Sequence, residues 1–181
     1  KKSCILQTAI NFNNLNYKKN QKKSFTVGMV SNFNQNKDII FFLEIVKVIN
    51  KIDKKINFKI CGNVWKNQQS YYLRCKDFIK KNILERLVIE KKVSNMNNFY
   101  NKIDLLLLTS KSESSPTVIW EAMYMKKIVI STKVGDVQKF LKKNDTGFVL
   151  SKSVFKFSKK ILELKTKKQL KEKIGQNANT A

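Results

Sequence analysis

Histidine is missing from all 181 residues, which removes a Ser-His-Asp triad, a Cys-His pair and a histidine metal site from this chain. The three cysteines, Cys4, Cys61 and Cys75, show no C-x-x-C spacing. They indicate neither a disulfide framework nor a zinc site, and a reducing compartment with core or idle thiols is the simpler reading. Long apolar runs are missing as well. The longest, Ile39–Leu43 and Leu105–Leu108, fall far short of the roughly 20 residues that cross a bilayer. The chain opens Lys-Lys-Ser with neither Met nor an apolar leader, and is expected to be a piece of a longer product.

Acidic residues are scarce: 13 Asp and Glu stand against 37 Lys and Arg, a net charge of +24. Arginine is scarcer still, only Arg74 and Arg86. Such a field attracts phosphates, nucleic acids and anionic lipid, but it speaks to association rather than to fold or reaction. A compositional drift toward Lys, Asn and Ile explains the excess as readily as a selected partner does. A length of 181 residues with 42% hydrophobic content suits one globular domain and one core.

Strand and helix signals alternate along the chain. Residues 18–23 are polar and lysine-rich, and Phe25-Thr-Val-Gly-Met-Val30 then reads as a buried strand, so the domain is expected to start near Phe25 with residues 1–24 as a linker. Ile39, Leu43, Val46, Ile49 and Ile52 recur at helical spacing. Strands are expected at 58–62, 87–90, 104–109, 128–131 and 147–150. Helices are expected at 68–82, 96–101, 115–125 and 137–142, followed by two Lys-rich helices at 154–164 and 167–174. The four-leucine run Leu105–Leu108 suits a central strand covered on both faces. The expected class is a Rossmann-like α/β parallel sheet of about six strands flanked by helices. Ligands in such sheets sit at the carboxyl ends of the strands.

The stretch Thr109-Ser-Lys-Ser-Glu-Ser-Ser-Pro-Thr-Val-Ile-Trp-Glu-Ala-Met123 carries the most chemistry. Ser115 is a good N-cap and Pro116 suits the first helical position, which leaves the amides of Thr117 and Val118 pointing outward. Such a helix start favours an anion by about 0.3 to 2 kcal/mol, so a phosphate needs no arginine there. Glu113 before the helix and Glu121 within it are placed to face one cleft at different depths. Carboxylates accept hydrogen bonds from vicinal hydroxyls at about 1.5 to 3 kcal/mol each, which suits a sugar nucleotide. On spacing alone, an ordinary helix start at Ser115-Pro116, with Glu121 an exposed helix residue and Glu113 a loop charge, is the favoured reading.

The stretch Asp104-Leu-Leu-Leu-Leu-Thr-Ser, Glu113, seven residues, Glu121-Ala-Met, then Ile128-Val-Ile-Ser-Thr-Lys-Val-Gly135 and Thr146-Gly-Phe-Val149 closely resembles the donor-binding half of retaining GT-B glycosyltransferases, the large nucleotide-sugar-dependent group 1 family. Val30-Ser-Asn-Phe33 with Lys37-Asp38 is similar to that family's first strand and loop, where an arginine and, five residues on, a lysine hold the donor diphosphate. Thr8-Ala-Ile-Asn11 resembles the end of the segment joining the acceptor-binding half, so the likeness covers about residues 5–175.

The resemblance implies that Glu113, the candidate catalytic residue, contacts the transferred sugar near the reacting centre, and that Glu121 holds the ribose hydroxyls. Lys37 would neutralise phosphate. Ser115, Pro116, Thr117 and Val118 would form the diphosphate cradle, and the loop around Val93 and Ser94 would flank the base. Asn32 stands where arginine is usual and cannot replace its bidentate donor. Ser31, Ser114 and Lys91 replace frequent glycines, and Lys139 a common glutamate. No metal or other cofactor is implied, because lysine and helix dipole would stabilise the leaving diphosphate. The implied partners are a nucleotide-sugar donor, a glycan or lipid-linked acceptor and an N-terminal acceptor-binding domain outside this chain, without which binding but not efficient transfer is expected. The implied setting is cytoplasmic, with contact to the anionic inner face of the membrane left open.

Two other readings compete. A non-enzymatic basic module would bind nucleic acid or anionic membrane, but the lysines are dispersed, arginines are few and no binding motif is present, so nucleic acid is disfavoured. Sugar-nucleotide epimerases and phosphorylases share the architecture, and the missing histidines count modestly against the epimerase.

Overall fold

The computed structural model describes residues 12–18, 24–93, 95–143, 146–167 and 173–174. The strands are β1 (Phe25–Val30), β2 (Ile56–Cys61), β3 (Leu87–Glu90), β4 (Leu105–Leu108), β5 (Ile128–Thr132) and β6 (Gly147–Leu150). The helices are α1 (Ile39–Ile52), α2 (Gln69–Lys81), α3 (Met96–Asn101), α4 (Thr117–Tyr124), α5 (Val137–Lys143) and α6 (Val154–Thr166). Single 3-10 turns at Gln35–Lys37 and Lys66–Gln68, which periodicity does not signal, precede α1 and α2. Of the helix expected at 167–174, Lys167 ends α6, Lys173 and Ile174 are helical, and the rest lies outside the described residues.

All six strands pair in parallel, in the order β3-β2-β1-β4-β5-β6. Parallel neighbours need crossover connections, so helices cover both faces and the central strands are mostly apolar. In β4 successive side chains alternate between two cores: Leu105 and Leu107 pack with α1, α2 and α6, Leu106 and Leu108 with α3, α4 and α5. All four are almost completely buried, which explains the unbroken leucine run. The 3.6-residue spacing in α1 buries Ile39, Phe42, Leu43, Val46 and Ile49, and the Phe41 ring meets Phe157 of α6 edge-on at 5.3 Å. Strand β2 begins at Ile56 rather than at Phe58, because it pairs with β1 over six residues from Phe25↔Ile56 to Val30↔Cys61.

Residues 12–18 precede the expected domain start and are packed against it. Leu15 joins the α3–α4 core, the Phe12 ring stacks on Tyr124 at 4.6 Å, and the amide of Asn16 donates to Asn97 Oδ1 at 2.8 Å. The strand order reverses between β1 and β4, so a crevice opens at the carboxyl ends of those strands, where open α/β sheets place their ligands.

Candidate functional site

A cleft of about 280 Å³ opens at that end of the sheet, lined by residues that follow β1 (Ser31, Asn32, Lys37), β2 (Gly62, Asn63) and β3 (Val93, Met96), together with Val30, Cys61 and Val118. Gly62 lets the first two loops close on each other: a Cβ there would lie 1.9 Å from the carbonyl oxygen of Ser31. The Ser31 amide donates to the Cys61 carbonyl at 2.8 Å, and the Phe33 amide to the Asn63 carbonyl at 3.2 Å. Asn32, where the resemblance has arginine, accepts from the Asn63 amide at 3.1 Å. Asn63 Oδ1 in turn accepts from the Lys92 amide at 3.0 Å. Two neutral amides thus tie three strand-end loops together, and the Asn32 side chain braces the rim instead of offering a cation.

Lys37 is the cation that lines the cleft. Its Nζ pairs with Glu113 Oε1 at 2.5 Å, with the two side chains 28% and 12% exposed, so the pair is partly shielded and less screened than a surface bridge. The same oxygen accepts from Ser110 Oγ at 2.6 Å, and Ser110 is buried. The loops carrying the pair are stitched together at backbone carbonyls. Thr109 Oγ1 donates to the Lys37 carbonyl at 3.0 Å, the Lys111 amide to the Asn36 carbonyl at 2.8 Å, and Asn36 Nδ2 to the Ser112 carbonyl at 2.8 Å. Behind them Gly135, at φ +49°, brings the loop after β5 against the carbonyls of Glu113 and Ser114, where a Cβ would come within 2.5 and 2.3 Å.

The start of α4 differs from expectation. Pro116 is the N-cap, at φ −75° and ψ 107°, the helix begins at Thr117, and no side chain caps it. Ser115 therefore lies one residue outside the cap, because Pro116 holds extended ψ and the turn closes through the Ile119 amide donating to the Pro116 carbonyl at 3.1 Å. The uncapped start suits an outside acceptor better than the expected serine cap does. Of this segment Val118 lines the cleft, whereas Ser115, Pro116 and Thr117 do not. Pro116 is buried and Thr117 exposed.

Neither glutamate is among the cleft-lining residues, and each is held by a neighbour of the cleft. Glu113 is held by Lys37, whereas Glu121 Oε2 accepts from the Tyr100 hydroxyl at 2.6 Å, which also approaches the Val118 carbonyl at 3.4 Å. Val93 lines the cleft, and Ser94 lies outside the described residues. Sequence reasoning missed Cys61, Gly62, Asn63 and Met96, which the rule that ligands gather at strand ends would have flagged. It also missed Tyr100 and Ser110, whose roles depend on contacts across the fold. The Cys61 thiol faces Met96 Sδ at 3.8 Å, and burial, then the Glu90 charge, push it up to about 11. Of the aromatics, Tyr71 and Tyr72 are buried packing residues and Trp65 is exposed.

The chain matches the family model described as "Glycosyl transferases group 1" over residues 12–181. It is 27% identical over 165 residues to the capsular polysaccharide biosynthesis glycosyltransferase CapM of Staphylococcus aureus, covering 89% of this chain and 42% of CapM. It is 28% identical over 136 residues to an uncharacterized glycosyltransferase of Methanocaldococcus jannaschii, covering 74% of this chain and 37% of that protein. Its fold is that of HepE from Anabaena, solved with UDP and glucose, at a TM-score of 0.80 and 21% identity over 87% of this chain and 43% of that one. The C-terminal domain of the group 1 family protein LpcC from Francisella tularensis superposes at a TM-score of 0.77 and 20% identity, covering 86% of this chain and 83% of that domain. The chain thus spans less than half the length of the curated relatives it matches.

Proposed function

Because the chain belongs to the group 1 glycosyl transferases, we propose that it is the donor half of such an enzyme, holding a nucleotide-linked sugar in the cleft at the sheet crossover while a preceding half presents the acceptor. The observation that carries this reading is the Lys37–Glu113 pair at the cleft edge, with the uncapped start of α4 beside it. A diphosphate is the ligand such a site suits: Lys37 exchanges Glu113 for a phosphate oxygen, and the outward amides of Thr117 and Val118 meet the same group. Released from the lysine, Glu113 accepts from hydroxyls of the sugar, and Glu121 accepts from the ribose. Supporting the choice of ligand, HepE was solved with UDP and glucose.

In the proposed reaction the bond between the anomeric carbon and the diphosphate oxygen breaks as an acceptor hydroxyl bonds to that carbon on the same face, with retention. The acceptor's proton passes to the departing phosphate. Charge grows on the diphosphate as the bond breaks, so Lys37 and the α4 start stabilise the transition state more than the ground state and no metal is required. The proposed setting is cytoplasmic; no helix among the described residues is long and apolar enough to cross a membrane. Peripheral contact with an anionic bilayer is the proposed role of α6, where Phe155 is 73% exposed beside exposed Lys156 and Lys159.

A thermal-shift panel of UDP-, GDP- and ADP-sugars tests the pocket. At a hundredfold excess over Kd a ligand adds about 2.7 kcal/mol, which moves the melting temperature of a domain this size by about 5 to 10 °C. One nucleotide class is expected to give that shift, and Lys37→Ala and Glu121→Ala to remove most of it. No shift with any donor, or an undiminished shift in Glu121→Ala, would overturn the assignment.

A further inference from the structure

Tyr100 heads the fully buried side chains of the described residues by size, yet its one polar atom serves a single acid across the α3–α4 contact. The hydroxyl donates to Glu121 Oε2 at 2.6 Å, and the other carboxylate oxygen, Oε1, accepts no hydrogen bond among the described residues. Tyr100 also borders the cleft floor: Met96 lies one turn earlier on α3, and the hydroxyl touches the carbonyl of Val118, both cleft-lining residues. A phenylalanine would fill the same apolar volume without a buried hydroxyl to satisfy, so packing does not explain the oxygen. Burial, then the Glu121 charge, drive the phenol well above its ordinary value of 10.0. It therefore stays protonated, a fixed hydrogen-bond donor toward Glu121.

We propose that Tyr100 is a positioning residue for nucleotide recognition: by engaging Oε2 it fixes the Glu121 carboxylate with Oε1 presented to the vicinal hydroxyls of a bound ribose. This rests on the reading of the cleft as a nucleotide-sugar site and adds the group that makes Glu121 selective. A carboxylate free to rotate would meet the diol in only some of its orientations, and the ordering would then be lost on binding.

The readout is the preference for ribose over a sugar lacking both hydroxyls. UDP, GDP and ADP, each beside its 2′,3′-dideoxy counterpart, are titrated calorimetrically into the 181-residue chain and into Tyr100→Phe and Glu121→Gln. The unaltered chain is expected to favour the ribose form of its best nucleotide by about tenfold or more. Tyr100→Phe is expected to cut that preference to within about threefold while leaving the dideoxy affinity unchanged. Damage to folding lowers both affinities together and leaves the ratio intact, and Tyr100→Met supplies the same reading if the phenylalanine variant does not fold. A full ribose preference in the Tyr100 variants, with that preference lost in Glu121→Gln, overturns the proposal alone. If no nucleotide binds, or Glu121→Gln keeps the preference, the reading of the pocket fails and the proposal with it.

Discussion

Lys37 and Glu113 stand 76 positions apart and meet at 2.5 Å, a contact between two loops whose backbones are bonded to each other before either side chain is considered. The lysine is thereby held at the cleft edge with its charge matched, which spares the cleft an unpaired, partly buried cation. The thiols follow the opposite logic. Burial pushes Cys61 up to about 11 and Cys75 up to about 12, so neither is poised to react. Native protein treated with a maleimide at pH 7.5 and digested for mass spectrometry should carry little label at Cys61 or Cys75, with full labelling in denaturant; rapid native labelling at either would contradict the burial. The folded state keeps protons that the unfolded chain releases above the ordinary thiol value of 9.0. The contribution of these groups to stability is therefore full below pH 9 and declines as pH rises toward 11 and 12. Denaturation midpoints should fall between pH 9 and pH 10.5 in unaltered protein.

Elements were legible wherever one periodicity dominated. The apolar face of α1 and the leucine run of β4 appear where their patterns place them, because burial on one stripe or on both faces leaves a direct imprint on residue order. The start of α4 was not so legible: proline is compatible with either N-cap or first-turn position, and the choice was made by backbone packing around the loop. The 3-10 turns were invisible because three residues carry no periodicity. Gly62 belongs to this scale, since it governs how β1 and β2 end. Gly62→Ala should force its Cβ against the Ser31 carbonyl, 1.9 Å away in the present geometry, and cost about 1 to 3 kcal/mol as the two strand ends part. A melting temperature lower by at least about 2 °C checks this; an unchanged one would mean that the loops are slack.

At the scale of the whole molecule the net charge of +24 is what remains after every acid is counted, and it is carried by basic residues beyond those that acids can match. Lys37, Lys59, Lys152, Lys160, Lys165 and Lys167 are paired with acids, and the side chains of Lys160 and Lys167 together lower Glu163 to about 2. The lysines that remain, with exposed Phe155, make α6 the face best suited to an anionic surface. Sedimentation with phosphatidylserine vesicles, but not with phosphatidylcholine vesicles, is expected for the chain, with binding reduced several-fold between 50 and 200 mM salt. Phe155→Ser should weaken it at both salt concentrations. Equal binding to both vesicle types would remove the membrane from the proposal.

The order of residues alone determined the class of fold, the central position of β4 and the paired glutamates, because hydrophobic spacing and a motif of fixed length are properties of a line. Only the tertiary structure decided that Asn32 braces a rim, that Ser110 and Tyr100 hold the two acids, and that α4 begins at Thr117. Each of those depends on atoms from separate crossovers meeting at one end of the sheet, and the distance between such atoms is set by packing, which no local pattern encodes.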